Sequence, residues 1–528
     1  MNMQTGVLVS LRRTTIRVGQ MPYSVVLVLG FIVLFVSYLF AAQYITNNSD
    51  DASIIFEGQA MLHCNIFMHG WYLPSDSFIT SEMPLYALGS LILSPQALLK
   101  VGPALLYAST VLLAVVLARK VVPQGTSRWL AIGACLALIA FPIGLMFSFV
   151  LRSPMHIATI FLTLVAFWAY DRYVRQHTPG FALILFSFIT TISIIGDPMA
   201  QILIPIPIAI VSGRMLWKTR GSDVIARTVL IVAGGSLLAG FALRQVLILS
   251  GTHINTTSIH LAVPAQILPH LSWLFLGIAT LFHIDFIEIS PGNINPLIII
   301  LNGAFLLITV AGFVRLMQKV LFPGELRDSF QAVLGWAILS LIAVFLFTTF
   351  AINVLTIRYL FPAFIYAGIL LYPAITQVIP KRVVTGGVLT FLALSILTFS
   401  VTLVQRPAAT TPEKPLITFL HNQHLTNGLG SFWVTNITVL KSDHSVQLLP
   451  VIILKGEVHA YNWHADAAWF RGDSVNKVQF LAYDDSEDVT QYYQAALLSF
   501  GMPAHMYRVD HYTILTWDHP IISPTYHL

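Results

Sequence analysis

The chain has 528 residues, of which 56% are hydrophobic and only 10% charged. Soluble domains carry about 25% charged residues, so this composition, with a mean hydropathy of +0.78, excludes a soluble globular protein and points to an integral membrane protein. The net charge of +5 is small for the length; it reads as membrane topology rather than a nucleic-acid footprint, and no nucleic-acid partner is expected.

Arg12, Arg13 and Arg17 precede a hydrophobic run of about 24 residues, longer than the roughly 7–15 of a signal-peptide core. A retained first helix with a cytoplasmic N-terminus follows. At about 20 apolar residues per crossing, thirteen segments qualify: 22–46, 84–98, 102–120, 129–150, 154–172, 180–196, 198–217, 226–249, 266–283, 294–317, 331–352, 358–379 and 382–404. Five basic groups should all be cytoplasmic: Arg119 with Lys120 and Arg128, Arg172 with Arg175, Arg214 with Lys218 and Arg220, Arg315 with Lys319, and Lys381 with Arg382. They agree if 84–98 and 266–283, which are short and contain or border Pro or Gly, are re-entrant or interfacial. The expectation is eleven full crossings and two partial ones within about 11–13 membrane segments, with everything after residue 405 outside.

Between the first two segments lies a polar run, the first external loop (47–83), carrying Asp50, Asp51, Glu57, Asp76 and Glu82. The same face collects Arg152 and His156 in LRSPMH, Asp197 in GDP, the loop 252–293, and Arg358 in IRYLFP. Ionisable side chains near membrane depth are expensive and mark substrate pathways. Asp50 and Asp51 read either as helix-capping residues or as a general base held near an acceptor hydroxyl. With two adjacent carboxylates, one can ionise while the other positions a donor or a divalent metal such as Mg or Mn; no other cofactor is called for. Arg358 reads as a snorkelling interfacial arginine or as a forked anchor for a lipid phosphate. Arg152 could pair with a loop carboxylate, Asp197 could cap the helix after Pro198, and His156 could be an ordinary polar contact. Trp71 is assigned to the interfacial aromatic belt. Asn255 and Asn436 match the N-glycosylation pattern.

After residue 405 the composition changes. QRPAATTPEKP is a linker, and 405–528 reads as a small α/β domain with strand-like runs SFWVTNITVL, VQLLPVIIL, KVQFLAY and MYRVDHYTILTW and one helix, DVTQYYQAALLSFG. The two cysteines, Cys64 and Cys135, have neither CxxC nor zinc spacing. No P-loop, dinucleotide fingerprint, HExxH or usable GxSxG occurs.

A first helix, an external loop opening on Asp50–Asp51 and closing on MPLYALGSL (83–91), and RYLFP (358–362) together resemble the GT-C superfamily of membrane glycosyltransferases. The likeness is to its bacterial polyprenyl-phosphate-sugar-using branch, the aminoarabinose transferase and protein mannosyltransferase relatives. SFWVTNITVLKSD, FLAYDD and SFGMPAHMYRVDHYTILTWD are similar to the external C-terminal domain of such proteins. The resemblance implies a helical GT-C-like domain over 1–404, an extracytoplasmic α/β domain over 405–528, and a location in the bacterial plasma membrane. It implies sugar transfer from a polyprenyl-phosphate donor to a glycan, lipid or protein acceptor among membrane lipids. It nominates Asp50 or Asp51 as base and Arg358 as the phosphate contact; the polar external face read from the residues themselves adds Arg152, Glu57, Asp76, Glu82, Tyr359, His156 and Asp197 as substrate-site candidates. The rival readings are a non-catalytic scaffold and a flippase for lipid-linked substrates.

Overall fold

A computed structural model of the protein describes residues 22–122, 127–176, 180–284, 296–322, 329–471 and 477–521. Arg12, Arg13, Arg17 and the stretch 285–293 lie outside the described residues. Among those described, ten helices are long and apolar enough to cross a membrane. They comprise α1 (Tyr23–Ala41, extended by one turn to Tyr44), α4 (Pro95–Lys120), α7 (Ile157–Gln176) and α9 (Pro205–Lys218, joined to the turn Ala200–Leu203). The others are α10 (Val224–Leu249), α11 (Pro264–Leu281), α12 (Pro296–Val320), α13 (Phe330–Phe347), α14 (Phe361–Ile375, led by a 3-10 turn over Val354–Leu360) and α15 (Lys381–Gln405). The pair α5 (Ser127–Ile139) and α6 (Gly144–Val150) bends by 97° and makes an eleventh span if taken together. Between these lie α2 (Ser49–Leu62), α3 (Met83–Gly89) and α8 (Phe181–Gly196).

Segment 84–98, expected not to cross fully, makes no span: Gly89 ends α3, and Ser94 caps α4 by accepting from the Ala97 N–H, with Pro95 at its first position. The expected pattern changes elsewhere. Segment 266–283, expected to enter only partly, is the 18-residue α11, whose Pro269 lies in its early turns. Segment 129–150 breaks after Ile139, where Pro142 interrupts the ladder and Gly144 takes φ +56°. In addition, α8 has 16 residues and falls short of a full span by length.

Helices α7 and α14 form the centre, each with 72% of its most apolar window buried, whereas α1 buries only 17%. Val28, Ile32, Val33 and Val36 of α1 face outward, which is costly in water and neutral against lipid tails. The basic groups gather at one end. Arg119 lies 3.6 Å over the Tyr23 ring, Lys120 and Arg175 pair with Asp171 at 3.6 and 2.6 Å, and Gln331 donates to the Val121 carbonyl at 2.9 Å. Arg315 and Lys319 donate to Gln377 at 3.3 and 2.5 Å, and Arg214 sits 4.3 Å over Phe322.

At the opposite end sits a sheet-containing unit. After α16 (Glu413–Asn422) come β3 (Asn427–Ser431), α17 (Phe432–Lys441), β4 (Gln447–Leu454), β5 (Glu457–Ala460), β6 (Ala465–Asp466) and β7 (Phe480–Asp484). They are followed by α18 (Val489–Phe500), β8 (His505–Val509) and β9 (Tyr512–Thr516). The six-stranded sheet runs β5-β4-β3-β7-β9-β8, with β3 parallel to β4 and β7 and the outer pairs antiparallel. SFWVTNITVL, expected as a strand, is mostly α17: it lies between the sheet and α2 and is buried on nearly every side, so neither period shows in its sequence. A second sheet stitches distant loops together. Strand β1 (Trp71–Leu73) pairs in parallel with β2 (His253–Ile254) and antiparallel with β6. This pairing carries Trp71 into the interior, 3% exposed and edge-on to Trp469 at 5.3 Å, rather than into an interfacial belt.

Helix α2 crosses α3 at Gly58, where an added Cβ would sit 2.8 Å from the Ala87 nitrogen. Gly58→Ala is expected to destabilise the protein by about 1–3 kcal/mol, read as a lower thermal midpoint in detergent; an unchanged midpoint would show that the crossing relaxes freely.

Candidate active site

The two adjacent aspartates at the start of α2 have different surroundings. Asn48 caps the helix by accepting from the Asp51 N–H, and Asp51 Oδ2 accepts from the Asn48 N–H at 2.8 Å, completing a capping box. Asp51 Oδ1 accepts from the Ser153 N–H at 2.9 Å, and Arg152 Nε lies 3.5 Å from Oδ2. Asp51 is therefore buried with both oxygens committed. Asp50, at the next position round the helix, is half-buried and accepts no hydrogen bond from a described residue. Burial raises its pKa, against the pull of His464, Arg358 and Arg152 and with a push from Asp76. The spacing Asn48-x-x-Asp51 was the sequence signal that separates the pair.

Asp51 also holds the turn that presents His156. That turn contains a cis Ser153–Pro154 bond, and His156 has φ +62°. His156 Nδ1 lies 2.7 Å from Asp197 Oδ2, and Nε2 lies 3.4 Å from Asp76 Oδ2. Burial by itself would lower the histidine pKa, but the two carboxylates outweigh it and raise it. Burial works against ionised Asp197 as well, yet the His156 charge and the Met199 N–H hold its pKa below the ordinary value. Asp197 therefore both caps the turn after Pro198 and orients His156. Phe78 and Tyr359 meet the imidazole edge-on at 5.4 and 5.3 Å.

Tyr359 also accepts from Arg358 Nη2 at 3.2 Å, and the guanidinium lies 5.1 Å from its ring centre. Among the described residues no carboxylate lies within ion-pair distance of Arg358, although Asp50 and Asp76 are near enough to act on its charge. Arg152 donates to the Thr46 carbonyl at 2.7 Å and serves mainly to brace Asp51.

Glu82 and Glu57 flank this group: Glu82 lies near enough to feel the charges of His156, Asp197 and Asp76, and Glu57 that of Asp50. Glu82 Oε1 accepts from the Ala158 N–H at 3.3 Å, Oε2 has no partner among the described residues, and burial pushes its pKa to about 7. Glu57 Oε1 lies 2.6 Å from His464 Nδ1, so Glu57 binds the sheet unit to α2. Asn436 supports that seam by donating to Ser53 Oγ at 2.8 Å and to the His464 carbonyl at 3.2 Å. At 1% exposure and with its amide engaged, Asn436 is inaccessible to glycosylation.

Sequence reasoning missed His464 and Arg244. Arg244, inside the apolar run of α10, donates to the carbonyls of Ser75 and Ile195 at 2.5 and 3.2 Å and so holds the Asp76 loop against α8. Its position within a membrane-length run was a usable signal; His464 carried none. Among the described residues no three His, Cys, Asp or Glu side chains converge to hold a metal ion.

No family model matches the chain, and no curated protein matches it in sequence. Among solved structures, the fold is similar to the crystal structure of ArnT from Cupriavidus metallidurans bound to undecaprenyl phosphate. The TM-score is 0.53 at 12% identity, covering 93% of this chain and 97% of that one. At that identity the likeness is one of fold. The chain is accordingly a polytopic helical membrane protein of GT-C-like fold with a C-terminal sheet-containing unit, as the resemblance in its sequence implied.

Proposed function

We propose that this GT-C-like fold carries a membrane glycosyltransferase, which moves a sugar from a polyprenyl-phosphate-linked donor to an extracytoplasmic acceptor by a single inverting displacement. The observation that carries the reading is that Asp50 and Arg358, near enough for each to act on the other's charge, have no ion-pair partner among the described residues, while Asp51 fixes the Ser153 turn and Asp197 holds His156. The fold likeness to a protein bound to undecaprenyl phosphate supports a lipid phosphate as the ligand of Arg358. In this reading the basic end of the bundle is cytoplasmic, by the excess of Lys and Arg there, and the sheet unit lies outside the bacterial plasma membrane.

In the reaction the acceptor hydroxyl oxygen attacks the anomeric carbon, and its proton passes to Asp50. The bond from that carbon to the phosphate oxygen breaks with its electron pair, and forked bonds from Arg358 stabilise the departing polyprenyl phosphate. Tyr359 orients the guanidinium, and His156, fixed between Asp197 and Asp76, packs edge-on against the Tyr359 ring and holds it in place.

Vesicles containing the purified protein and a panel of labelled undecaprenyl-phosphate-linked sugars test the reading. Transfer to a glycan, lipid or protein acceptor is expected. Movement of the intact donor across the vesicle without transfer would replace this reading with the flippase. The rate should fall on the acid side with a midpoint above the ordinary aspartate value of about 4, because Asp50 must be ionised and its pKa is raised. A rate flat down to pH 4 would remove Asp50 as the base.

A further inference from the structure

Helix α2 has a second functional face. Residues 50, 53 and 57 point toward the candidate site and the His464 seam, whereas 56, 59, 60 and 63 lie roughly 100° further round the helix and line a cavity of about 490 Å3. The opposite wall comes from the sheet unit: β3, β4, α17 and the turn holding Trp469. This volume falls in the range of small-molecule sites, and no residue of the transfer mechanism lines it.

Its chemistry is specific. Three aromatic rings form one wall: Trp71 is edge-on to Trp469 at 5.3 Å, and Trp469 is edge-on to Phe56 at 6.2 Å. Amides supply most of the remaining polar groups, His63 and His444 stand at the exposed rim, and among the described lining residues there is no Lys or Arg and only one carboxylate, Asp466. With no permanent cation on its wall, the cavity offers a phosphate or other anion no forked guanidinium or ammonium partner and favours an uncharged ligand. Two groups are left without partners among the described residues: the indole N–H of buried Trp71, and the side-chain amide of Gln59. An uncharged ligand with an apolar face and a dense edge of hydroxyls satisfies both halves, since its C–H face packs on the rings and its hydroxyls exchange hydrogen bonds with the amides.

We infer that this cavity is a binding site for a neutral saccharide of roughly one or two pyranose rings. The site is separate from the transfer centre and requires no turnover. A saccharide bound here lies against α2, which also carries Asp50, and across the seam that joins α2 to the sheet unit.

Saturation-transfer NMR on the full-length protein in nanodiscs, with chitobiose, cellobiose and mannobiose as probes, tests the inference. Digalacturonate and triglycine serve as the anionic and peptide controls. At least one neutral disaccharide should bind and the controls should not. Binding should weaken about ten-fold in Trp469→Ala, the loss of one aromatic contact, and measurably in Gln59→Ala, a partly exposed position whose change does not threaten the fold. Arg358→Ala should leave it unchanged. The inference is overturned if no neutral disaccharide binds, if triglycine or digalacturonate binds in their place, or if binding survives Gln59→Ala and Trp469→Ala but is lost in Arg358→Ala.

Discussion

Asp50→Asn should lower sugar transfer by about 10²–10⁴-fold, the usual contribution of a general base, while leaving thermal stability nearly unchanged. The neighbouring Asp51→Asn should behave in the opposite way. Asp50 makes no hydrogen bond to a described residue, so amidation removes a proton acceptor and little structure. Asp51 closes the capping box and receives the Ser153 N–H. Its loss should cost about 2–4 kcal/mol, combining one cap with a buried hydrogen bond to a charged group. Any loss of transfer should then track the fraction folded, because the same turn positions His156. Arg358→Ala should resemble Asp50→Asn, with a loss of about 10²–10³-fold on the scale of a deleted charge-stabilising donor. Transfer rates and melting midpoints for all three variants at matched expression would check this; equal loss of transfer in both aspartate variants, each with unchanged stability, would deny Asp50 its separate role.

Asp197→Asn should destabilise the protein by about 3 kcal/mol, since it removes the closer and more buried of the two carboxylates on His156 and leaves only the longer Asp76 contact. The penalty should also depend on pH. Asp197 has a lowered pKa, so its contribution is complete above the unfolded aspartate value of about 3.9 and is lost as pH falls through the lowered one. His156 has a raised pKa, so its contribution is complete below the unfolded value of about 6.5 and is lost as pH rises through the raised one. The gap between wild type and variant should therefore be widest between about pH 4 and 6.5 and should narrow on both sides. Melting curves across pH 3 to 9 would read it directly, and a gap independent of pH would mean that the pair is not ionic.

Much of this could be read locally. Membrane-length apolar runs, the polar run 47–83 and the change of composition after residue 405 are all written in consecutive residues, as is the hairpin from MYRVDHYTILTW that became β8 and β9. Where reading failed, burial on every side was the usual reason. The stretch SFWVTNITVL is rich in β-branched residues and touches both the sheet and α2, so packing overrode propensity and made a helix.

Composition and periodicity by themselves determined that this is a polytopic helical membrane protein with a polar C-terminal unit, because hydrophobic matching to a bilayer and to a sheet acts over runs of about 5–25 residues. Only the tertiary structure decided that Asp51 also receives the Ser153 N–H, 102 positions away, and that Glu57 meets His464, 407 positions away. Those pairings depend on how helices cross and where strands such as β1 and β6 align. The contact energy is shared between segments far apart in the chain, and neither segment records it alone.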